Sequence, residues 1–256
     1  MRTVVIIQAR MGATRLPGKV LRPLVGRSVL SHVVERVSTL HAVSAVVVAT
    51  TLSSSDDAVA AECGRLGAVC FRGSEPDVLS RYHGAARMAD ADVIVRVTAD
   101  CPLFDRSLLE SMLQAFVRKS HHRIDYLSNT LKRTYPRGLD AEIFNFASLD
   151  RAFSEAAQPH EREHVTPFIY EHPEFFRLHS FESETDRSNL RWTLDTPEDL
   201  QLIEEIYGAL YKEGEIVATK QVLQLLKERP ELIMLNAHVE QKKLTDEASG
   251  PISRAT

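Results

Sequence analysis

The chain has 256 residues, a formal net charge of −4 and 44% hydrophobic residues. These values predict one large α/β domain or two small ones, and they are typical of a soluble globular protein. The near-balanced charge argues against a dedicated nucleic-acid binder, which is usually basic. The three cysteines form no CxxC pair, so we expect no disulfide framework and a reducing, cytoplasmic setting. We find no apolar stretch of membrane-spanning length and expect no membrane partner.

Short β-branched runs alternate with amphipathic helical patterns along the first half of the chain. The predicted strands there are 3–7, 43–49, 68–71 and 92–97. The predicted helices are 29–40, 56–66, 77–88 and 105–118, with Asp56 and Asp105 placed to cap two of them. This alternation favours right-handed βαβ units and a mostly parallel sheet flanked by helices.

The pattern changes after residue 124. Two short β-like runs lie within 124–146, and later strands are predicted at 175–181 and 190–194. Helices are predicted at 147–157, 161–170, 197–211, 218–227 and 231–239. We therefore predict a single domain over residues 1–239, with a small β subregion inserted at about 124–182. The polar, aperiodic stretch 240–256 is predicted to be a flexible tail.

The segment that follows the first predicted strand is rich in glycine and in positive charge. Gly12 and Gly18 let the backbone turn sharply and approach a ligand closely. Arg10, Arg15 and Lys19 supply donors suited to phosphate oxygens. The segment is neither a Walker A loop nor a dinucleotide fingerprint, and a solvated surface turn is the alternative interpretation. In open parallel sheets ligands bind outside the carboxyl ends of strands, so this position favours an anion site.

Two aspartates follow predicted strands and have no capping role. Asp100 precedes Asp105, which already caps the next predicted helix. Asp195 precedes Thr196 and Asp199, which together form a good helix start. The two carboxylates can meet across one crevice, and such hard oxygen ligands combined with substrate phosphates suit Mg²⁺.

Six segments, in order, resemble those of the cytidylyltransferases that activate acidic sugars. They are residues 8–21, 72–81, 98–103, 135–142, 162–167 and 194–200. The family includes the 3-deoxy-manno-octulosonate and acylneuraminate cytidylyltransferases. The similarity is greatest to the spore coat polysaccharide biosynthesis cytidylyltransferase-like branch, and it runs from about residue 3 to 210.

The resemblance implies a nucleotide-diphospho-sugar transferase-like α/β fold and a Mg²⁺-dependent nucleotidyltransferase. Such an enzyme would use CTP to form a CMP-linked acidic sugar and pyrophosphate, for surface polysaccharide or glycan biosynthesis. The implied partners are CTP, a small-molecule acceptor and a second copy of the chain in a homodimer. A cytidylyltransferase acting on a non-sugar acceptor such as a phosphonate stays open.

The resemblance also implies roles for individual residues. The nucleotide-binding set is Gln8, Ala9, Arg10, Gly12, Thr14, Arg15, Lys19, Arg72 and Ala99. The catalytic set is Arg10, Arg15, Lys19, Asp100 and Asp195, with the two aspartates as metal ligands. The acceptor-binding set is Arg137, Asp140, Glu142, Arg162 and His164.

A second motif points to different chemistry. His160 and His164 satisfy the HExxH pattern of zinc metalloproteases, which would place both imidazoles on one helical face with Glu161 as base. Pro159 and Pro167 confine that segment to about two helical turns. Short motifs of this kind recur by accident, so a zinc metalloprotease is the distant alternative.

Overall fold

A computed structural model describes residues 1–120 and 124–241. The strands are β1 (Thr3–Gln8), β2 (Pro23–Leu24), β3 (Arg27–Ser28), β4 (Ala45–Thr51), β5 (Val69–Gly73), β6 (Val93–Thr98), β7 (Tyr126–Ser128), β8 (Glu142–Asn145) and β9 (Leu178–Ser180). The α-helices are α1 (Val29–Ser38), α2 (Asp57–Leu66), α3 (Val78–Met88), α4 (Arg106–Ser120), α5 (Phe146–Glu155), α6 (Pro159–His164), α7 (Pro167–Glu171), α8 (Pro197–Leu210) and α9 (Thr219–Glu228). Short 3-10 helices cover Lys19–Leu21, Ser54–Asp56 and Pro230–Leu235.

Seven strands form one sheet in the order β5-β4-β1-β6-β8-β7-β9. β1 pairs in parallel with β4 and β6, and β4 pairs in parallel with β5. β8 is antiparallel to both β6 and β7, and β7 is parallel to β9. The prediction of a mostly parallel sheet flanked by helices is confirmed. The strands within 124–182 extend this same sheet instead of forming a sheet of their own.

The core lies in two layers, one on each face of the sheet. Along β1, Val5 and Ile7 belong to one buried cluster, whereas Val4 and Ile6 belong to the other. This alternation follows from the two-residue period of a strand, and it explains why β1 is apolar on both faces. Within the described ranges, no helix is both long and apolar enough to cross a membrane.

Three predicted elements are wrong. The helix predicted at 231–239 is a shorter 3-10 helix, Pro230–Leu235. Residues 190–194 form no strand, because the amides of Trp192 and Leu194 donate to the loop carbonyls of Arg137 (2.7 Å) and Asp100 (2.8 Å) and not to a neighbouring strand. The single helix predicted at 161–170 is two short helices, α6 and α7. Val165 lies between them with φ +75, a conformation that no α-helix continues. Most of the predicted tail, 242–256, lies outside the described residues.

Gly138 lets two loops approach each other closely. It has φ +99, and a Cβ atom there would lie 2.5 Å from the carbonyl carbon of Trp192 and 2.6 Å from the amide nitrogen of Thr193. Beside it, Arg137 and Arg191 form an isolated parallel bridge. The absence of a side chain at position 138 therefore places the Arg137 loop directly against the segment that leads to Asp195.

We predict that Gly138→Ala destabilises the fold more than Gly214→Ala does. Gly214 is a matched control, since its φ is +79 but a Cβ there would meet nothing within 4 Å. The control should cost about 1–2 kcal/mol for the left-handed backbone alone. Gly138→Ala adds an overlap with backbone atoms and should cost at least about 1 kcal/mol more. Urea unfolding of both variants measures the difference, and equal free energies of unfolding would contradict the close approach.

Candidate active site

The site lies where the order of the strands reverses. The chain runs from β1 to β4 and β5 on one side, then crosses back to β6 on the other side of β1. The carboxyl ends of β1 and β6 are adjacent, with Gln8 opposite Thr98 in the register. Such a switch point opens a crevice between the two loops that leave these strands. The loop after β1 carries the predicted cations, and the loop after β6 carries Asp100.

Lys19 joins the two predicted metal ligands. Its Nζ lies 2.6 Å from Asp100 Oδ2 and 2.5 Å from Asp195 Oδ1. The Lys19 side chain is 13% exposed, and those of Asp100 and Asp195 are 19% and 18% exposed. Asp195 is brought here because the neighbouring amide of Leu194 donates to the carbonyl of Asp100 at 2.8 Å. The structure thus brings the two predicted aspartates together, although they are far apart in the sequence.

The electrostatics of this cluster keep both partners charged. Burial lowers the pKa of the Lys19 ammonium, but Asp100 and Asp195 outweigh that effect and raise the pKa above its ordinary value. Burial raises the pKa of the Asp100 carboxyl, but Lys19 and the hydrogen bonds from Thr98 and Cys101 hold it below its usual range. The ammonium of Lys19 and the carboxylate of Asp100 are therefore both ionised at neutral pH.

A cavity of about 210 Å³ surrounds this cluster. Its lining includes most of the predicted nucleotide-binding residues, namely Gln8, Arg10, Thr14, Arg15, Lys19 and Ala99, together with both aspartates. Arg15 Nη2 lies 3.4 Å from Asp195 Oδ2, and Arg10 forms a long ion pair of 3.9 Å with Glu75. Arg15 Nη1 also donates to the carbonyl of Glu240 at 3.1 Å, but neither guanidinium has a carboxylate partner nearer than 3.4 Å, so both can bind phosphate oxygens.

Three predicted nucleotide-binding residues do not line this cavity. Ala9 is buried in the core, and Gly12 lies in the loop beside it. Arg72 uses its guanidinium to donate to the carbonyls of Thr51 and Ser53, each at 2.8 Å, and to Asp57 at 2.7 Å. Arg72 therefore braces the turn between β4 and α2, and the structure does not bring it to the other predicted residues.

A second cavity of about 800 Å³ adjoins the first at Thr98, which lines both. Four predicted acceptor residues line it, namely Arg137, Asp140, Glu142 and His164. Two of its acids are neutralised, because Arg133 binds Asp140 through two hydrogen bonds of 2.6 and 2.9 Å and Arg96 pairs with Glu142 at 2.9 Å. The Arg137 guanidinium makes no hydrogen bond or ion pair with any residue in 1–120 or 124–241. This cavity thus presents one uncompensated positive charge.

Arg162 is not with the other predicted acceptor residues. Its guanidinium donates to the carbonyl of Phe153 at 2.8 Å and pairs with Asp77, and it lies over the Phe153 ring. Arg162 therefore connects α6 to α5 and to the residue that precedes α3.

The side chains of the HExxH segment have structural roles, and its two histidines do not come together as metal ligands. The Glu161 carboxylate accepts hydrogen bonds from the backbone amides of Ala157 (2.8 Å) and Gln158 (2.7 Å), so Glu161 is the N3 residue of a capping box whose N-cap residue is Gln158. His160 bonds to Glu171 at 3.0 Å, whereas His164 lines the larger cavity. The ligand atoms of His160, Glu161 and Glu171 do cluster within 4.8 Å, but His164 is not among them.

Arg191 is a site residue that sequence reasoning missed. It is 7% exposed and binds the fully buried Asp199 through Nε (2.9 Å) and Nη2 (3.1 Å), while Nη2 also donates to Asp195 Oδ2 at 2.9 Å. Asn236 donates to Asp199 at 2.8 Å, and Gln241 accepts from Arg191 at 2.7 Å. One guanidinium therefore orients the Asp195 carboxylate and connects it to the last described segment of the chain.

Asp56 has a different role from the predicted cap. Its side chain caps no helix, and its Oδ1 accepts instead from the amide of Met11 at 2.7 Å. Its Oδ2 accepts from the hydroxyl of Thr51 at 2.5 Å. This buried carboxylate ties the cationic loop after β1 to the end of β4, because it satisfies donors on both.

A sheet with this order, a cationic loop after β1 and two carboxylates facing that loop define a nucleotidyltransferase-like α/β protein. A family model described as cytidylyltransferase matches residues 4–232. The chain belongs to the cytidylyltransferase family, as predicted.

Relatives among curated proteins agree with this family. The chain is 37% identical over 234 residues to the spore coat polysaccharide biosynthesis protein SpsF of Bacillus subtilis, covering 88% of this chain and 94% of that protein. It is 35% identical over 246 residues to the protein MJ1063 of Methanocaldococcus jannaschii, covering 94% and 97%. It is also 32% identical over 132 residues to the 3-deoxy-manno-octulosonate cytidylyltransferase of Geobacter metallireducens, covering 52% and 51%.

Solved structures confirm the fold. A cytidylyltransferase from Leptospira borgpetersenii superposes with a TM-score of 0.86 at 34% identity, covering 95% of this chain and 99% of that one. A CMP:2-keto-3-deoxy-manno-octonic acid synthetase complexed with CTP superposes with a TM-score of 0.62 at 20% identity, covering 82% and 99%. The second likeness shows the fold alone.

Proposed function

We propose that this cytidylyltransferase uses CTP and Mg²⁺ to attach CMP to a hydroxyl of an acidic sugar, for surface polysaccharide or glycan biosynthesis. The observation that carries the proposal is the meeting of Asp100, Asp195 and Lys19 beside Arg10 and Arg15. Phosphate-binding cations and metal-binding carboxylates share one crevice in a chain of this family. We also propose a cytoplasmic location, because the three cysteines form no CxxC pair. The homodimer stays a prediction.

The reaction would be attack of the acceptor hydroxyl on the α-phosphorus of CTP, with pyrophosphate as the leaving group. For phosphoryl-type transfer the protein mainly positions the reactants and neutralises charge. The smaller cavity would hold the nucleotide, so that Arg10, Arg15 and Lys19 bind phosphate oxygens. The larger cavity would hold the acceptor, whose hydroxyl would enter past Thr98, where the two cavities adjoin.

The donor set of the crevice fits a magnesium ion. Asp100 and Asp195 each present an oxygen to one shared cation, the Lys19 ammonium, and both are hard carboxylate ligands. When bound, Mg²⁺ would neutralise negative charge on the phosphate oxygens. Arg191 would keep Asp195 in place by holding its second oxygen.

The uncompensated charge of Arg137 supports an acceptor that bears an acid group. The other two arginines of the larger cavity are paired with Asp140 and Glu142, so an incoming anion would compete with a carboxylate there. At Arg137 the acid group would meet a free guanidinium, which binds carboxylates through two parallel hydrogen bonds. A phosphonate would bind the same guanidinium. Pyrophosphate release with acidic sugars and with phosphonates distinguishes these two classes of acceptor.

We expect CTP to be preferred over ATP, GTP and UTP, because the chain belongs to the cytidylyltransferase family and Gln8 and Arg10 of the family loop line the smaller cavity. A ligand at one hundred times its Kd stabilises the native state by about 2.7 kcal/mol. At equal concentrations, CTP should therefore give the largest rise in melting temperature. Equal shifts with ATP and CTP would contradict a cytidylyltransferase.

We expect Asp100→Asn and Asp195→Asn each to lower turnover by roughly 10²–10⁴-fold, since metal stabilisation of the transition state is worth several kcal/mol. CTP binding without metal should persist, because Arg10 and Arg15 remain. The double variant should be little worse than either single one, since residues that serve one metal act as a unit. Steady-state kinetics decides: additive losses would contradict a shared metal, and unchanged turnover would contradict the site.

We expect Arg137→Met to raise the KM of an acidic acceptor roughly tenfold to hundredfold, since a charge-assisted hydrogen bond is worth about 1.5–3 kcal/mol. The KM of CTP should not change. Pyrophosphate release with CTP across a panel of acidic sugars, their neutral analogues and phosphonates measures this. Lys132→Met is the control, because that lysine is an exposed cation paired with Glu182 and does not line the cavity. An equal effect of both substitutions would contradict the role of Arg137.

A further inference from the structure

Lys19 occupies the oxygens that a metal would need. Its Nζ binds Asp100 Oδ2 and Asp195 Oδ1 at 2.6 and 2.5 Å. The second oxygen of each carboxylate has another donor: Asp100 Oδ1 accepts from the Thr98 hydroxyl at 2.6 Å, and Asp195 Oδ2 accepts from Arg191 at 2.9 Å. Each carboxylate therefore gives Lys19 the one oxygen that its other neighbours leave available.

We propose that Lys19 and a divalent metal ion exchange places at this pair of oxygens, and that the ammonium transfers to the nucleotide phosphates as the metal binds. This inference rests on the proposed function, which assigns the metal to Asp100 and Asp195. A metal bound by both carboxylates takes the two oxygens that now accept from the ammonium. The metal ion and the Lys19 ammonium cannot both bind these two oxygens, because two positive charges so close together repel each other strongly in a partly buried site.

The chain offers Lys19 a second position within reach. Lys19 has a flexible four-carbon side chain and is the first residue of the 3-10 helix that follows Gly18. The cavity that Lys19 lines is also lined by Arg10, Thr14 and Arg15, where the triphosphate would lie. The ammonium can therefore leave the carboxylates for phosphate oxygens by moving its side chain alone.

The exchange makes metal and nucleotide binding cooperative. Without nucleotide, a metal ion must displace an ammonium that is 13% exposed and leave it with no anion in return. With nucleotide, the displaced ammonium gains the phosphates. By thermodynamic linkage, the factor by which CTP tightens metal binding equals the factor by which the metal tightens CTP binding.

The probe is Mn²⁺. In a titration, the electron paramagnetic resonance signal of the free ion shows how much Mn²⁺ the protein has bound. Lys19→Met keeps the length of the side chain and removes its charge. Without nucleotide, Lys19→Met should bind Mn²⁺ at least tenfold more tightly than the unsubstituted protein, although it loses a catalytic residue. In the unsubstituted protein, a non-reacting CTP analogue should tighten Mn²⁺ binding tenfold or more, and Lys19→Met should lose most of that gain.

Arg15→Met separates exchange from simple charge removal. Arg15 lies 3.4 Å from Asp195 Oδ2 and does not touch the two shared oxygens. Removal of a nearby positive charge helps Mn²⁺ in both variants, but only Lys19→Met frees the oxygens. A clearly larger gain in Lys19→Met supports the exchange, and equal gains overturn it.

Melting temperatures with and without Mn²⁺ provide a second test of the exchange. Lys19→Met removes the cation that Asp100 and Asp195 share, and Arg191 remains paired with Asp195 and not with Asp100, so the melting temperature of the variant without metal should fall. Mn²⁺ should then raise the melting temperature of Lys19→Met more than that of the unsubstituted protein, and a smaller rise would overturn the exchange.

The proposed function can fail or survive separately. If Mn²⁺ binds the unsubstituted protein with the CTP analogue, is lost in Asp100→Asn, and gains nothing in Lys19→Met, the exchange is wrong and the metal site stands. If Mn²⁺ binds neither protein even with the analogue, the metal site and the exchange both fail.

Discussion

One ammonium held between two carboxylates determines how this site is built. Lys19 comes from the loop after β1, Asp100 from the loop after β6, and Asp195 from the segment before α8. A carboxylate as little exposed as these is costly to bury alone, and the shared cation offsets that cost for both. The hydrogen bond from the Leu194 amide to the Asp100 carbonyl fixes the backbones at the same point. Three distant parts of the chain therefore meet in one place for both electrostatic and backbone reasons.

Local sequence patterns predict the strands β1, β4, β5 and β6, the helices α1 to α4, and the edge of the sheet that carries the site. Continuous runs of β-branched residues predict β1, β4 and β6, and the strand-end rule predicts where ligands bind. Asp195 was predicted for a reason that proved wrong, since no strand precedes it. Its position depends on a bond to the Asp100 loop. A contact between residues so distant in sequence leaves no periodic signal.

The residues that sequence reasoning misplaced share one property. The charged groups of Arg72, Arg162 and Asp56 all form hydrogen bonds with backbone groups of neighbouring loops or ion pairs with nearby acids. A charged residue in such a segment looks the same in the sequence whether its side chain binds a ligand or stabilises a turn. Only the structure shows which group it contacts. Arg191 and Asp199 were missed for the converse reason, because a good helix cap at Asp199 already explained that residue from local pattern.

The loop after β1 and the last described segment of the chain meet at this site. Arg15 donates to the carbonyl of Glu240 at 3.1 Å, a pair separated by 225 positions, and Asn236 donates to the buried Asp199. Contacts of such long range form after local ones, because the loop that they close carries the larger entropic cost. Without residues 236–241, the chain would still contain β1 to β9 and α8, but Arg15, Arg191 and Asp199 would lose these partners.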